Sequence, residues 1–277
     1  MKKGIFLSLL LMAMALVNAD AQKLAVTKGQ KQETMTTTKM TMEVMGQNID
    51  NESLSTSNVE VKEVNADGYL FANTVKHMTM KGSGMGQEVS FDSDKKEDMD
   101  GQVGQAVKDK IGAVQEIQVD KQGKVTAIKE AGNSKPAEGL SGIASLTGDL
   151  AKGQPYPLLI QLPGKAVKSG DSWTDSTGTV QTIKTITTYT YNGIGADGAA
   201  MVSFTGTLAK SGIVEQNGME IQMDMTGVTK GESSYDAASG LLKTTTSTAE
   251  IKGTLGIMGQ NAPITATVVS TVAAKKL

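Results

Sequence analysis

Residues 219–225 read Met-Glu-Ile-Gln-Met-Asp-Met, with an apolar side chain at every second position. Because successive side chains of an extended chain point to opposite faces, this alternation predicts a strand with one buried and one solvated face. The same period of two runs through residues 69–80 and 202–208. Threonine is also frequent in residues 182–190. Threonine is β-branched and favours extended backbone. The sequence therefore predicts a mainly β protein.

Turn sequences separate these runs at hairpin spacing. Asn217-Gly218 immediately precedes the opening stretch, and Asn-Gly is a strong signal for a two-residue hairpin turn. Similar clusters of small and polar residues occur at 65–68, 120–123, 196–198 and 236–240. We therefore expect ten or eleven antiparallel strands, joined locally into one curved sheet or open half-barrel. One or two short helices are expected, with residues 102–111 as the main helical segment.

The triplet Met-Gly-Gln recurs at residues 45–47, 85–87 and 258–260, each time between apolar strand ends. This recurrence indicates a single β-rich domain, residues 22–277, made of two similar halves at about 28–130 and 178–275. The intervening residues 131–177 are rich in glycine and proline and show no sustained period. They are therefore predicted to form a linker or lid over the sheet.

The first 21 residues have the features of a secretory signal peptide. Lys2 and Lys3 are followed by an apolar run at residues 5–17 and by Ala19-Asp20-Ala21, which carries small residues at the positions that a signal peptidase reads. No later segment is apolar enough to cross a membrane. We expect an exported bacterial protein, located in the periplasm or outside the cell.

The composition excludes several functional classes. All 27 cationic side chains are lysine, and the formal net charge is −2, which argues against a nucleic-acid partner. The absence of cysteine excludes disulfides and thiol nucleophiles, and a single histidine excludes any site that needs two imidazoles. No nucleophile elbow of the Gly-x-Ser-x-Gly type is present. The sequence therefore predicts a protein that is not an enzyme and holds no cofactor.

Two short motifs resemble those of a known group of proteins. Gly170-Asp171-Ser172-Trp173 and the hairpin Tyr235-Asp236-Ala237-Ala238-Ser239-Gly240-Leu241-Leu242 are similar to an uncharacterised exported β-rich family of Bacteroidota-type bacteria. That resemblance implies a domain of unknown function whose fold is similar to the lipoprotein-carrier half-barrels. In those proteins a curved antiparallel sheet shelters an apolar cavity. It implies no catalytic residue.

Methionine is the most unusual constituent, and several methionines occur as Met-x-Met pairs. On a strand such a pair places both thioethers on one face, where they can fit varied apolar ligands. The candidates for lining a ligand site are Met40, Met42, Met78, Met80, Met219, Ile221, Met223 and Met225. Trp173 is interpreted as a packing anchor between the linker and the sheet.

Three functions fit these features. The leading hypothesis is a non-enzymatic periplasmic binding or carrier protein for an apolar ligand such as lipid. The first alternative is a structural or interaction protein of the cell envelope, with a protein partner and no small ligand. The second is Cu(I) binding by His77, Met78 and Met80, since Cu(I) prefers soft sulfur ligands. Against copper, His77 and Met78 point to opposite faces of a regular strand.

Overall fold

The computed structural model describes residues 25–84, 87–129, 150–179, 183–216, 219–257 and 260–277. The predicted signal peptide at 1–21, the turn at 217–218 and residues 131–149 of the predicted linker lie outside these ranges. The described elements are β1 (Lys31–Val44), β2 (Gln47–Val64), β3 (Gly68–Gly84), β4 (Gln87–Asp92), α1 (Lys96–Asp100), α2 (Gln102–Val107), β5 (Val114–Asp120), β6 (Val125–Lys129), β7 (Ser172–Thr177), β8 (Lys184–Ile194), β9 (Ala199–Gln216), β10 (Met219–Asp236), β11 (Leu242–Ile257) and β12 (Gln260–Lys276).

All twelve strands form one open antiparallel sheet, as the alternation predicted. The strand order is β6-β5-β3-β2-β1-β12-β11-β10-β9-β8-β7, and β4 pairs with the part of β3 that β5 leaves free. The two terminal strands meet in the middle of the sheet, where β1 pairs with β12 from Gln32↔Lys276 to Val44↔Ile264. The strands are therefore not all joined locally: an N-terminal arm (β1–β6) and a C-terminal arm (β7–β12) are united by one long-range pairing.

Between the β-bulges, the register keeps alternate side chains of neighbouring strands on the same side of the sheet. One row runs from Met40 of β1 through Val268 of β12 and Ala249 of β11 to Thr229 of β10. We call this side the inner face. The opposite, outer face is exposed at Lys39, as expected for a half-solvated sheet.

The sheet curls so strongly that its two edges approach each other. Ten strand-to-strand steps of about 4.8 Å would separate β6 from β7 by roughly 48 Å in a flat sheet. Nevertheless, the Lys124 ammonium, one residue before β6, lies 2.7 Å from the Asp175 carboxylate of β7. Asp175 shares the inner face with Thr187, its partner on β8. The inner face is therefore the concave one.

Residues 150–164, which we call the crossing segment, run between the two arms at one end of the sheet. On one side the Val125 amide donates to the Gln154 carbonyl at 2.9 Å, and on the other the Leu242 amide donates to the Leu158 carbonyl at 3.0 Å. Phe71 and Tyr156 pack with ring centroids 4.7 Å apart. The last six residues of the predicted linker are not part of a lid, because they form edge strand β7.

Three apolar clusters make up the core. The N-arm cluster surrounds Phe71 and includes Tyr156 and Leu159 of the crossing segment. The methionine cluster consists of inner-face residues of β1, β10, β11 and β12, with Met40, Met42, Met223 and Met225 as its largest members. The C-arm cluster contains Ile160, Tyr191, Ala200 and Val202, with Trp173, Leu162 and Val167 packed against it.

The helical segment is shorter than the sequence predicted. Residues 102–111 were expected to be helical, but α2 ends at Val107. Ile111 instead forms a bridge with Val75, and the Gly112 amide donates to the Val75 carbonyl at 2.8 Å. Pairing with β3 thus ends the helix. Within the described ranges, neither helix has the length and apolar character needed to cross a membrane.

Candidate functional site

A cavity of about 810 Å³ lies between the crossing segment and the inner face of the C-terminal arm. Strands β8 to β12 contribute most of its side chains, Thr177 at the end of β7 adds one more, and residues 151–161 cover it on the opposite side. Small-molecule sites in proteins usually have volumes of roughly 300–1,000 Å³. The size and concave shape of the cavity make it the candidate binding site of the molecule.

Apolar and aromatic side chains line the wall formed by β9 and its neighbours. Val202, Phe204 and Leu208 follow one another on the inner face of β9. The Phe204 ring lies 6.2 Å from the ring of Tyr189 on β8. Phe204 also lies across Gly231 of β10, where any Cβ would overlap the ring. Glycine at this position lets the aromatic side chain lie flat against the sheet.

Hydroxyl groups line the rest of the sheet surface. They belong to Thr185, Thr187, Thr229, Ser233, Thr245, Ser247 and Ser270. Several of these groups satisfy one another: the Ser233 hydroxyl donates to the Thr245 hydroxyl at 2.7 Å, and Thr245 donates to the Glu232 carbonyl at 3.1 Å. This surface is therefore polar but neutral.

The charge of the cavity is positive. Among the described lining residues the only charged ones are Lys152 and Lys210, and no carboxylate belongs to the lining. Lys152 is exposed on the crossing segment, whereas Lys210 is only 7% exposed on β9, opposite Met225 in the register. Asp175 is the one acidic residue of β7, and its carboxylate is paired with the Lys124 ammonium at 2.7 Å.

Three tyrosines of the lining have phenols that stay neutral. Burial raises the pKa of Tyr156, Tyr189 and Tyr235 above its ordinary value of 10. These phenols are therefore hydrogen-bonding groups and not anions at neutral pH. Among the described residues, the buried Tyr156 hydroxyl has no hydrogen-bond partner, and neither has the buried indole N–H of Trp173. Each such group costs about 1–3 kcal/mol.

Trp173 lies half-buried on β7 and contacts both the sheet and the segment that precedes it. Its ring stacks on Tyr189 with centroids 5.7 Å apart and an interplanar angle of 19°. It also packs in the C-arm cluster with Leu162 and Val167. Through these contacts it supports the aromatic end of the cavity.

The predicted lining residues lie elsewhere on the sheet. Met40, Met42, Met223 and Met225 are buried together in the methionine cluster, and Ile221 packs against it. Met78 and Met80 are half-buried on β3, and Met219 begins β10 with a side chain outside the described part of the structure. None of the eight belongs to the described lining of the 810 Å³ cavity. Their role in binding stays a prediction.

Sequence reasoning missed Lys210 although a signal was present. The alternation from Val202 to Leu208 assigns even-numbered residues of β9 to one face, and extending it by one step assigns Lys210 to the same face. A lysine at an inward-facing strand position interrupts an apolar series. Such an interruption marks a site worth testing.

His77 pairs with carboxylates and not with methionines. Its Nε2 lies 3.0 Å from an Asp92 oxygen and 3.7 Å from an Asp94 oxygen. In the register His77 faces Thr56 and Met78 faces Ser55, so the two side chains point to opposite faces. The structure therefore does not bring together the predicted Cu(I) ligands His77, Met78 and Met80.

We call His77, Asp92 and Asp94 the His77 cluster. Within the described ranges, it is the one group of three residues whose potential metal-ligand atoms all lie within 4.8 Å of one another. Its nitrogen and oxygen donors suit harder metal ions than Cu(I). The Asp94 amide and His77 both hydrogen-bond to Asp92 and lower the pKa of its carboxyl group. A hydrogen bond between the His77 ring and the Asp92 carboxylate accounts for this geometry.

Residues 152–242 match the model of a family of unknown function, DUF6263. This stretch is about a third of the chain and includes most of the crossing segment and strands β7 to β10. Both motifs that suggested an uncharacterised domain, at 170–173 and 235–242, lie within it. The resemblance to a domain of unknown function is confirmed, while the bacterial group and the export signal stay predictions.

No curated protein matches the chain. Among solved structures, "Lipid-protein interactions in lipovitellin" aligns with 90% of this chain at a TM-score of 0.52 and 9% identity. The chain spans only 25% of that lipovitellin chain. An outer membrane channel from Pseudomonas putida F1 aligns over 92% of this chain and 99% of its own, with a TM-score of 0.28 and 8% identity. The lipovitellin match shows a shared type of fold.

Proposed function

We propose that this protein is a non-enzymatic binding or carrier protein that holds an apolar ligand, such as lipid, in the 810 Å³ cavity. The observation that carries the proposal is the cavity itself, which lies between the curved sheet and the crossing segment. We also propose that it works after export from a bacterial cell, in the periplasm or beyond it. The sequence features of residues 1–21 support that location.

The shape of the cavity suits a long apolar chain. The lining residues of β9 run from Val202 to Lys210, which is a length of about 26 Å for eight strand steps. One leaflet of the hydrocarbon core of a bilayer is about 15 Å thick, so an acyl chain of a membrane lipid fits within this length. Val202, Phe204 and Leu208 supply the apolar contacts.

The chemistry of the lining favours binding over catalysis. Its described residues include no carboxylate and no imidazole, the groups that most acid–base catalysis uses. The single histidine, His77, lies on the N-terminal arm. The fold likeness to lipovitellin adds only a precedent, since that structure concerns lipid–protein interactions in another protein.

A matched pair of substitutions on β10 tests the proposal. Thr229 faces the cavity, whereas its neighbour Val228 is 54% exposed on the outer face. Thr229→Phe fills the cavity, and Val228→Phe adds the same bulk outside it. In a titration with the neutral dye Nile red we expect Thr229→Phe to weaken binding about tenfold, which is about 1.4 kcal/mol. Val228→Phe should bind as the wild type does.

Equal binding by both variants and the wild type would overturn the proposal. The same holds if the wild type does not bind the dye at all. Circular dichroism and thermal unfolding of each variant show whether a loss of binding reflects a filled cavity or a damaged fold. A stably folded Thr229→Phe that has lost binding supports the cavity as the site.

An envelope interaction protein without a small ligand is the second candidate. Strand β7 pairs only with β8 among the described strands, which leaves one of its edges available to a partner strand. On the outer face Ile186 and Val228 lie in one row and are both exposed. If Nile red does not bind, a pull-down from envelope extract that a proline in β7, Thr174→Pro, abolishes would favour this function.

A further inference from the structure

We propose that the ligand of the cavity is an anionic amphiphile and that the Lys210 ammonium is the counter-ion of its headgroup. The headgroup is a carboxylate or a phosphate, and the tail is a single apolar chain. This inference rests on the proposed function and makes it specific. It identifies one residue that selects among apolar ligands by charge.

The first observation is the burial of Lys210. The residue is 7% exposed, faces inward from β9 and lies opposite Met225, a member of the methionine cluster. Lysine is rarely buried unless its charge is paired, because an isolated ammonium loses its hydration in an apolar environment. In the described ranges Lys210 makes no salt bridge and no hydrogen bond through its side chain.

The second observation is the charge around it. The one other charged group in the described lining is Lys152, which adds a second positive charge. The acid next to Lys210 across the sheet is Asp224, which is exposed on the outer face and accepts a hydrogen bond from Ser211. With two cations and no carboxylate, the cavity attracts an anion and repels a cation. A ligand that supplies an anion gives the Lys210 ammonium the partner that it lacks among the described residues.

The third observation is the position of Lys210 at one end of an apolar wall. Leu208, Phe204 and Val202 follow it along β9 at intervals of two or four residues. A chain that begins with its headgroup at Lys210 can therefore lie along Leu208 and Phe204 toward Tyr189. The neutral hydroxyls of Thr185 and Thr229 flank this path. Charge at one end and apolar surface along the length match an amphiphile better than a neutral hydrocarbon.

The test compares dodecanoate with its neutral methyl ester, which has the same tail. By calorimetric titration we expect the wild type to bind dodecanoate about tenfold more tightly than the ester. Lys210→Met replaces the ammonium by an apolar side chain of similar length and should remove this preference. The ester should bind that variant within about twofold of the wild type. Lys210→Arg keeps the charge and should retain the preference.

The control is Lys184→Met, at an exposed lysine of β8 beside the same region of β9. It removes one positive charge from the outer face and should leave the preference unchanged. Dodecyl phosphate distinguishes the two headgroups, since tighter binding than dodecanoate assigns a phosphate and weaker binding a carboxylate. Inorganic phosphate and acetate should bind at least about a hundredfold more weakly than either amphiphile.

The outcomes separate this inference from the proposed function. If dodecanoate and the ester bind the wild type equally, or if Lys210→Met keeps the preference, the role of Lys210 is refuted and the apolar site stands. If inorganic phosphate binds as tightly as dodecyl phosphate, the tail contributes nothing and the inference also fails. If neither dodecanoate nor its ester binds, both the inference and the proposed function are overturned.

Discussion

The methionine cluster and the cavity both involve the inner face of β10 to β12, yet the cluster is filled with side chains and the cavity is open. Strand β10 contributes to both, with Met223 and Met225 in the cluster and Thr229 and Ser233 in the cavity. All four side chains follow one alternation. The difference is side-chain volume: the methionines fill the inner face, whereas the shorter threonine and serine leave space above it. Alternation therefore decides which residues face inward, and their size decides whether a ligand has room.

The largest effect should come from truncation in the filled region. Met225 is 3% exposed, so Met225→Ala leaves a buried void and should lower the free energy of unfolding by about 2–5 kcal/mol. Thr229→Ala on the same face of the same strand should cost less than about 1 kcal/mol, because its side chain already borders open space. Urea denaturation measures both values. Equal losses would show that the two regions do not differ in packing.

A smaller effect is expected at the ion pair that joins the two edges of the sheet. The pair Lys124–Asp175 is partly buried, with 35% and 16% of its side chains exposed. Lys124→Met removes the ion pair and leaves Asp175 with the Gln161 amide at 3.4 Å. We expect a loss of about 1–3 kcal/mol. Hydrogen exchange should accelerate in the crossing segment and β7 but not in β1, which belongs to the methionine cluster.

The matched control for that prediction is Lys129→Met. Lys129 pairs with Glu116 at 3.7 Å, but 83% of its side chain is exposed. Exposed pairs contribute roughly 0–1 kcal/mol, so this variant should unfold almost as the wild type does. If both variants lose the same stability, or if exchange accelerates throughout the sheet, the Lys124–Asp175 pair has no special part in holding the two sheet edges together.

The smallest effect depends on pH and concerns the turn that anchors the crossing segment. The Ser239 hydroxyl and then the Ser239 amide hydrogen-bond to Asp236 and lower the pKa of its carboxyl group. A lowered folded pKa contributes stability that is present above the unfolded value of about 3.8 and is lost as the pH falls through the folded pKa. Asp236→Asn should therefore cost up to about 1 kcal/mol near pH 7, since the carboxyl group is exposed.

At pH values below the folded pKa of Asp236 the wild-type carboxyl group is protonated, so the Asp236→Asn variant and the wild type should become equally stable there. Thermal unfolding at a series of pH values measures the difference. Asp67→Asn is the control, because the exposed carboxyl group of Asp67 makes no hydrogen bond in the described structure and should show no such dependence. A constant difference between Asp236→Asn and the wild type at all pH values would contradict the role of the charge.

The sequence predicts the strands and most of the turns because both are local features. The alternation at residues 219–225 lies in β10, and the turn clusters at 65–68, 120–123 and 236–240 each lie between paired strands. The pairing of Gln32 with Lys276 has no local signal, since the two residues are joined by almost the whole chain. For this reason the sequence predicts a meander of locally joined strands but not the pairing of the first strand, β1, with the last strand, β12.

The site was harder to predict than the fold. The methionines face inward as the alternation required, but whether such residues line a cavity depends on what lies opposite them. Here the crossing segment covers β8 to β12 through backbone hydrogen bonds at Gln154 and Leu158, and its residues show no periodicity that would predict this position. The inward position of Lys210 could have been predicted, because Lys210 continues the alternation of β9.

The central claim is that the protein carries an apolar ligand between the crossing segment and the inner face of β8 to β12. Native mass spectrometry of wild type and Thr229→Phe, each purified from the protein's own host, tests it most directly. The account predicts a bound species of the mass of an acyl-chain amphiphile on the wild type and its loss from Thr229→Phe. Wild-type protein that is consistently free of ligand, or the same ligand at equal occupancy on both proteins, would contradict it.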